Sequence, residues 1–132
     1  MRPILAAAAC LGFAAVAAGA FGAHALDGRL DAKAAGWYDT AVRYQMIHAL
    51  ALLALAVLRE LMPCRLITVT ASCFVVGVII FSGSLYAMAF GAPRWFGAIT
   101  PLGGLALLVG WATLLRLACT RRSQGDTEFQ GK

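Results

Sequence analysis

Residues 4–23 read ILAAAACLGFAAVAAGAFGA and contain no charged side chain. As a helix at 1.5 Å per residue, such a segment spans about 30 Å, the thickness of a bilayer's hydrocarbon core. Three further apolar runs follow: Ala41–Leu58, entered through Trp37, Tyr38 and Asp39; Leu66–Gly91; and Ile99–Ala118, with Pro101 near its start. No run alternates as a barrel strand does, and a bilayer requires each backbone polar group to find an internal partner, so all four read as helices. The whole chain agrees, with 132 residues that are 61% hydrophobic and 13% charged. Soluble domains average about 45–50% and about 25%. Mean hydropathy is +0.80. A small soluble domain has too little interior to hide that much apolar surface.

The expected fold is an all-α integral membrane four-helix bundle, one domain over 1–119 with helices at about 4–25, 37–62, 66–91 and 97–118. Residues 23–40 read as a turn followed by a short interfacial helix, and 120–132 as a disordered cytoplasmic tail. The net charge of +5 belongs to flanking residues rather than to one basic face, which excludes a nucleic-acid partner. Arg2, Arg59, Arg65, Arg116, Arg121, Arg122 and Lys132 fall on the side that holds both termini, against Arg29, Lys33, Arg43 and Arg94 on the other. The positive-inside rule therefore places both termini in the cytoplasm. Trp37, Tyr38, Trp95 and Phe96 fit an aromatic belt at the opposite interface.

Arg2, the first apolar run and Ala23-His24-Ala25 imitate a cleavable signal, but the run is longer than the usual core of about 7–15 residues, which favours a retained helix. Cys10, Cys64, Cys73 and Cys119 form no C-x-x-C pair and read as small apolar side chains. Ala15, Gly19 and Ala23 are spaced by four, as are Ala8 and Gly12, which suits close helix approach; Gly77, Gly83, Gly103 and Gly104 are candidates for the same role in helices 3 and 4.

Polar groups inside membrane segments are functional candidates by default. Depth matching along the expected helices brings His24, Arg43, Tyr44, His48, Ser82, Ser84 and Tyr86 to the outer half of the bundle, where they form a candidate buried polar cluster. Tyr44 and His48 share a face, and Asp39 and Arg43 have the spacing of an ion pair. Hydrogen bonds that fix helix register are the favoured account of such a cluster, ahead of a ligand or proton site. Haem ligation by His24 and His48 is disfavoured because the two lie at different depths, and a zinc site lacks donors. There is no G-x-S-x-G, P-loop, dinucleotide-binding or H-E-x-x-H pattern and no paired intramembrane carboxylate, so no enzyme and no cofactor is expected.

Four stretches in order carry a family resemblance: GAFGAHAL over Gly19–Leu26, WYDTAVRYQMIHAL over Trp37–Leu50, FSGSLY over Phe81–Tyr86, and TPLGG over Thr100–Gly104 with Gly110-Trp111. Over residues 19–112 the chain resembles the YgdD-like small inner-membrane proteins, a family catalogued as a domain of unknown function. The resemblance implies a multi-pass protein of the bacterial inner (plasma) membrane with four spans. It carries over no activity, ligand or catalytic residue. The reading drawn from these features is an accessory or scaffold component of a membrane assembly, in contact with the lipid bilayer and with a membrane-protein partner or a second copy of itself. The alternative is a small oligomeric transporter or channel for a small solute or ion.

Overall fold

The computed structural model describes residues 2–129, with side chains described through Cys119. Four helices follow one another: α1 (Arg2–Ala25), α2 (Ala32–Leu61), α3 (Arg65–Ala89) and α4 (Phe96–Phe129). All four are long and apolar enough to cross a membrane, α4 through its Phe96–Cys119 portion. No strand occurs among the described residues. The expected tail falls on 120–132, whose side chains lie outside the described residues.

The turns explain the helix boundaries. Gly28 takes φ +70° between α1 and α2, a conformation that favours glycine. Asp31 then caps α2 by accepting a 2.8 Å hydrogen bond from the Ala34 amide. With that cap and the helix-favouring sequence Ala32-Lys33-Ala34-Ala35, α2 runs unbroken to Leu61, so the expected separate interfacial helix is the first two turns of α2 itself. Pro63 falls in the short α2–α3 connection, and Gly91 (φ +90°) ends α3. Backbone bonds from Phe96, Gly97 and Ala98 to Pro93, Arg94 and Trp95 wind the chain into α4. Pro101 consequently lies past the first turn of α4, where it does remove a backbone hydrogen bond.

Each helix packs on its neighbour in sequence: α1 on α2, α2 on α3 and α3 on α4. One end of the molecule carries the α1–α2 and α3–α4 turns (the two-turn end), and the other carries the start of α1 and the α2–α3 connection (the one-turn end). Leu52, Phe74 and Ile67 are completely buried toward the one-turn end. Ala41, Leu85 and Met88 form a smaller core toward the two-turn end.

The α3–α4 contact is the tightest. Large residues of one helix sit on glycines of the other: Phe81 over Gly103, Leu107 over Gly77 and Phe74 over Gly110. A Cβ on Gly103 would fall 2.4 Å from the backbone nitrogen of Phe81, a group that cannot swing away. Of the glycines picked out in the sequence, Gly77 and Gly103 hold the crossing, Gly104 makes ordinary contact, and Gly83 meets nothing within 4 Å. On α1, Gly12 and Gly19 make ordinary contacts with Ala49 and Val42. Gly103→Ala is therefore expected to destabilise the protein by about 2 kcal/mol or more, while Gly83→Ala leaves the melting temperature in mild detergent unchanged or raised. Equal melting temperatures for the two variants would refute this packing.

Candidate functional site

The polar side chains between the helices form short hydrogen-bonded groups that join neighbouring helices. Between α1 and α2, Tyr38 donates to the Ala18 carbonyl at 2.7 Å and the Gln45 amide to the Leu11 carbonyl at 2.9 Å. Between α2 and α3, Ser82 donates to the Ala41 carbonyl at 2.9 Å and Tyr86 to Gln45 Oε1 at 3.0 Å. Between α3 and α4, the hydroxyls of Ser84 and Thr100 lie 2.7 Å apart and those of Thr70 and Thr113 2.8 Å apart. Arg59 also donates to Thr68 across the α2–α3 connection.

His48 links α2 to α4. Indole Nε1 can only donate, so Trp111 donates to His48 Nε2 at 3.2 Å. That bond assigns the proton to Nδ1, which donates to the Tyr44 carbonyl at 2.8 Å. The ring is held as one neutral tautomer, with Phe74 edge-on at 5.1 Å. Both nitrogens thus have protein partners, and a metal or haem iron could reach neither without displacing one. Among the described residues, no group of three His, Cys, Asp or Glu could hold a metal ion. The four cysteines are free thiols.

The residues selected by depth are thereby divided. His48, Ser82 and Ser84 are buried and Tyr86 is half-buried. Tyr44 is 39% exposed and lays its ring against Phe81 at 4.6 Å. His24 and Arg43 are exposed. Tyr38, Gln45, Thr70, Thr100, Trp111 and Thr113 complete the network and were not in the candidate cluster. Tyr38, Ala41, Gln45 and His48 follow one another at spacings of three and four, the mark of a shared helix face, and that signal would have picked out both Tyr38 and Gln45.

The family model described as "Protein of unknown function (DUF423)" matches residues 18–104. The chain belongs to this DUF423 family. A UPF0382 membrane protein of Haemophilus influenzae is 47% identical over 103 residues, covering 78% of this chain and 82% of that one. The UPF0382 inner membrane protein YgdD of Escherichia coli K12 is 41% identical over 128 residues, 94% and 95% of the two chains. A UPF0382 membrane protein of Staphylococcus saprophyticus is 43% identical over 101 residues, 76% and 83% of the two. No solved structure matches significantly. This DUF423 chain is thus a multi-pass inner-membrane protein of four apolar helices. The matched span contains Tyr38, Gln45, His48, Ser82, Ser84 and Tyr86, and stops short of Trp111 and Thr113.

Hydrogen bonds between membrane helices average about 0.6 kcal/mol and reach about 1.7 kcal/mol. Gln45→Leu removes bonds to both α1 and α3 and is expected to destabilise the fold by about 1–2 kcal/mol. His48→Leu removes the Trp111–His48 bond between α2 and α4, leaves the indole N–H without a partner inside the bilayer, and should lower stability by a comparable amount. Arg43→Gln serves as the control and should leave thermal melting in detergent unchanged. A Gln45 variant as stable as wild type would remove the amide from the network.

Proposed function

We propose that this DUF423 protein is a non-catalytic accessory or scaffold component of an inner-membrane assembly. One observation supports this reading above others: among the described residues, no buried side-chain nitrogen or oxygen lacks a hydrogen-bond partner. A pump or channel needs polar groups left over to face a water-filled path, and an acid–base enzyme needs a titratable group within reach of substrate. Here Gln45, Ser82, Ser84 and Thr70 instead hold helices together, and His48 has both nitrogens bonded. Exposed large apolar side chains occur on all four helices, including Phe13 (79% exposed) on α1 and Leu108 and Leu115 on α4. Such faces suit lateral contact with other membrane helices, and a second copy of this chain is one such partner.

The tagged full-length protein, purified from native membranes in mild detergent, should carry a membrane-protein partner at fixed stoichiometry by quantitative mass spectrometry. A partner-free oligomer that supports solute or ion flux in proteoliposomes would overturn the accessory reading in favour of the transporter alternative. For orientation, the charge distribution supports cytoplasmic termini. A C-terminal green fluorescent protein fusion is then expected to fluoresce and a C-terminal alkaline phosphatase fusion to be inactive, with the reverse pattern inverting the topology.

A further inference from the structure

Two grooves meet on the lipid-facing side between α2 and α4, floored by α3. The first, about 490 Å³, opens at the two-turn end between Lys33 and Trp37 of α2 and Arg94 and Gly97 at the start of α4. The second, about 530 Å³, continues along α4 past Gly104 and Leu108 to His48 and Trp111. Phe81 and Pro101 line both, so the two form one trough. From Gly97 to Trp111 the trough follows α4 for roughly 21 Å at 1.5 Å per residue. One leaflet's share of a hydrocarbon core of about 30 Å is about 15 Å, so the trough runs from the headgroup level to the bilayer's middle.

The ends of the trough differ in chemistry. Its walls are mostly apolar, with Thr100, Tyr44, His48 and Trp111 the polar side chains along them, and its rim carries Lys33 of α2 and Arg94 of the α3–α4 turn. No acidic residue lines either groove, and neither cation has an acidic partner among the described residues. Of the three acids of this end, Asp27 and Asp39 line a separate pocket on the α1 side of α2, and Asp31 caps α2 by accepting from the Ala34 amide. The Lys33 ammonium stands 5.2 Å from the centre of the Trp37 ring, which holds the charge over an aromatic at interface depth. A lipid-facing trough in a bilayer fills with an acyl chain whatever the headgroup. Two unpaired cations at its mouth add a preference for which lipid supplies that chain, since an arginine fork and an ammonium both match phosphate oxygens.

We propose that this trough is a binding site for an anionic phospholipid, with the phosphate and its negatively charged headgroup between Lys33 and Arg94 and one acyl chain running over Phe81 toward Trp111. The site is independent of the assembly role, because it needs only the folded chain and a lipid.

Native mass spectrometry of the full-length protein in mild detergent, offered equal amounts of phosphatidylglycerol and phosphatidylcholine with matched chains, tests the site. Phosphatidylglycerol is expected to be retained about tenfold over phosphatidylcholine, since a cation near an anionic headgroup is worth about fivefold in affinity and screening reduces the combined effect. The Lys33→Gln/Arg94→Gln double variant should bind the two lipids equally while melting at the wild-type temperature without added lipid. Gly104→Trp, which fills the middle of the trough, should lower retention of both lipids. Equal retention by the wild type would overturn the proposal, as would a preference that survives in the double variant. A wild-type dimer that buries the trough and retains neither lipid would do so as well, assigning the surface to a second copy of the chain.

Discussion

The backbone of α4 rests against the backbone of α3 at Gly103 and Phe81, and the rest of the bundle depends on that approach. In water, apolar side chains would press these helices together; in lipid the surroundings are as apolar as leucine, and association must come from fit and from polar bonds. Gly103 supplies the fit by letting the chain come within reach of the Phe81 amide. Once the axes are that close, short hydroxyl side chains such as Ser84 with Thr100 and Thr70 with Thr113 can bond directly across the gap. Those bonds lie above and below the glycine contact and lock its register.

α2 solves the same problem with longer side chains. Of its nine buried positions, Ala34, Tyr38, Ala41, Gln45, His48, Leu52 and Leu55 advance by alternating steps of four and three along a single face, with Ala49 and Ala56 beside it. The middle of that face is polar because three neighbours must be held: Gln45 bonds α1 and α3 at once, and His48 reaches α4. α2 therefore acts as the hub of the polar network even though α3 and α4 share the closest contact.

The four spans, their order and the bundle itself were readable from run length and charge, because the bilayer sets both directly. The inward faces were harder to read. In a soluble protein they would stand out by hydrophobicity, but in lipid the outward face is apolar too, and here the inward face of α2 is the more polar one. Matching groups by depth also ignored rotation about the helix axis. Ser82 and Ser84 lie about 200° apart at 3.6 residues per turn, so one turns to α2 and the other to α4. Arg43 shares its depth with Gln45 and His48 but projects off their face, and so is exposed. The start of α2 was misplaced for another reason. The charges of 27–33 suggested an interfacial break, while the cap at Asp31 lets the helix begin there without interruption.

The first helix is held in an unusual way. The two side chains of α2 that bond it, Tyr38 and Gln45, take hold of the carbonyls of Ala18 and Leu11, which any residue would present, and no side chain of α1 takes part in those bonds. Gly22 and Ala15 need only be small enough to let α2 near. α1 is thus recognised as a length of slim helix rather than as a particular text. Its outward positions are open to rewriting by evolution or by an engineer, so that a new lateral partner could be acquired through α1 without disturbing the three helices behind it.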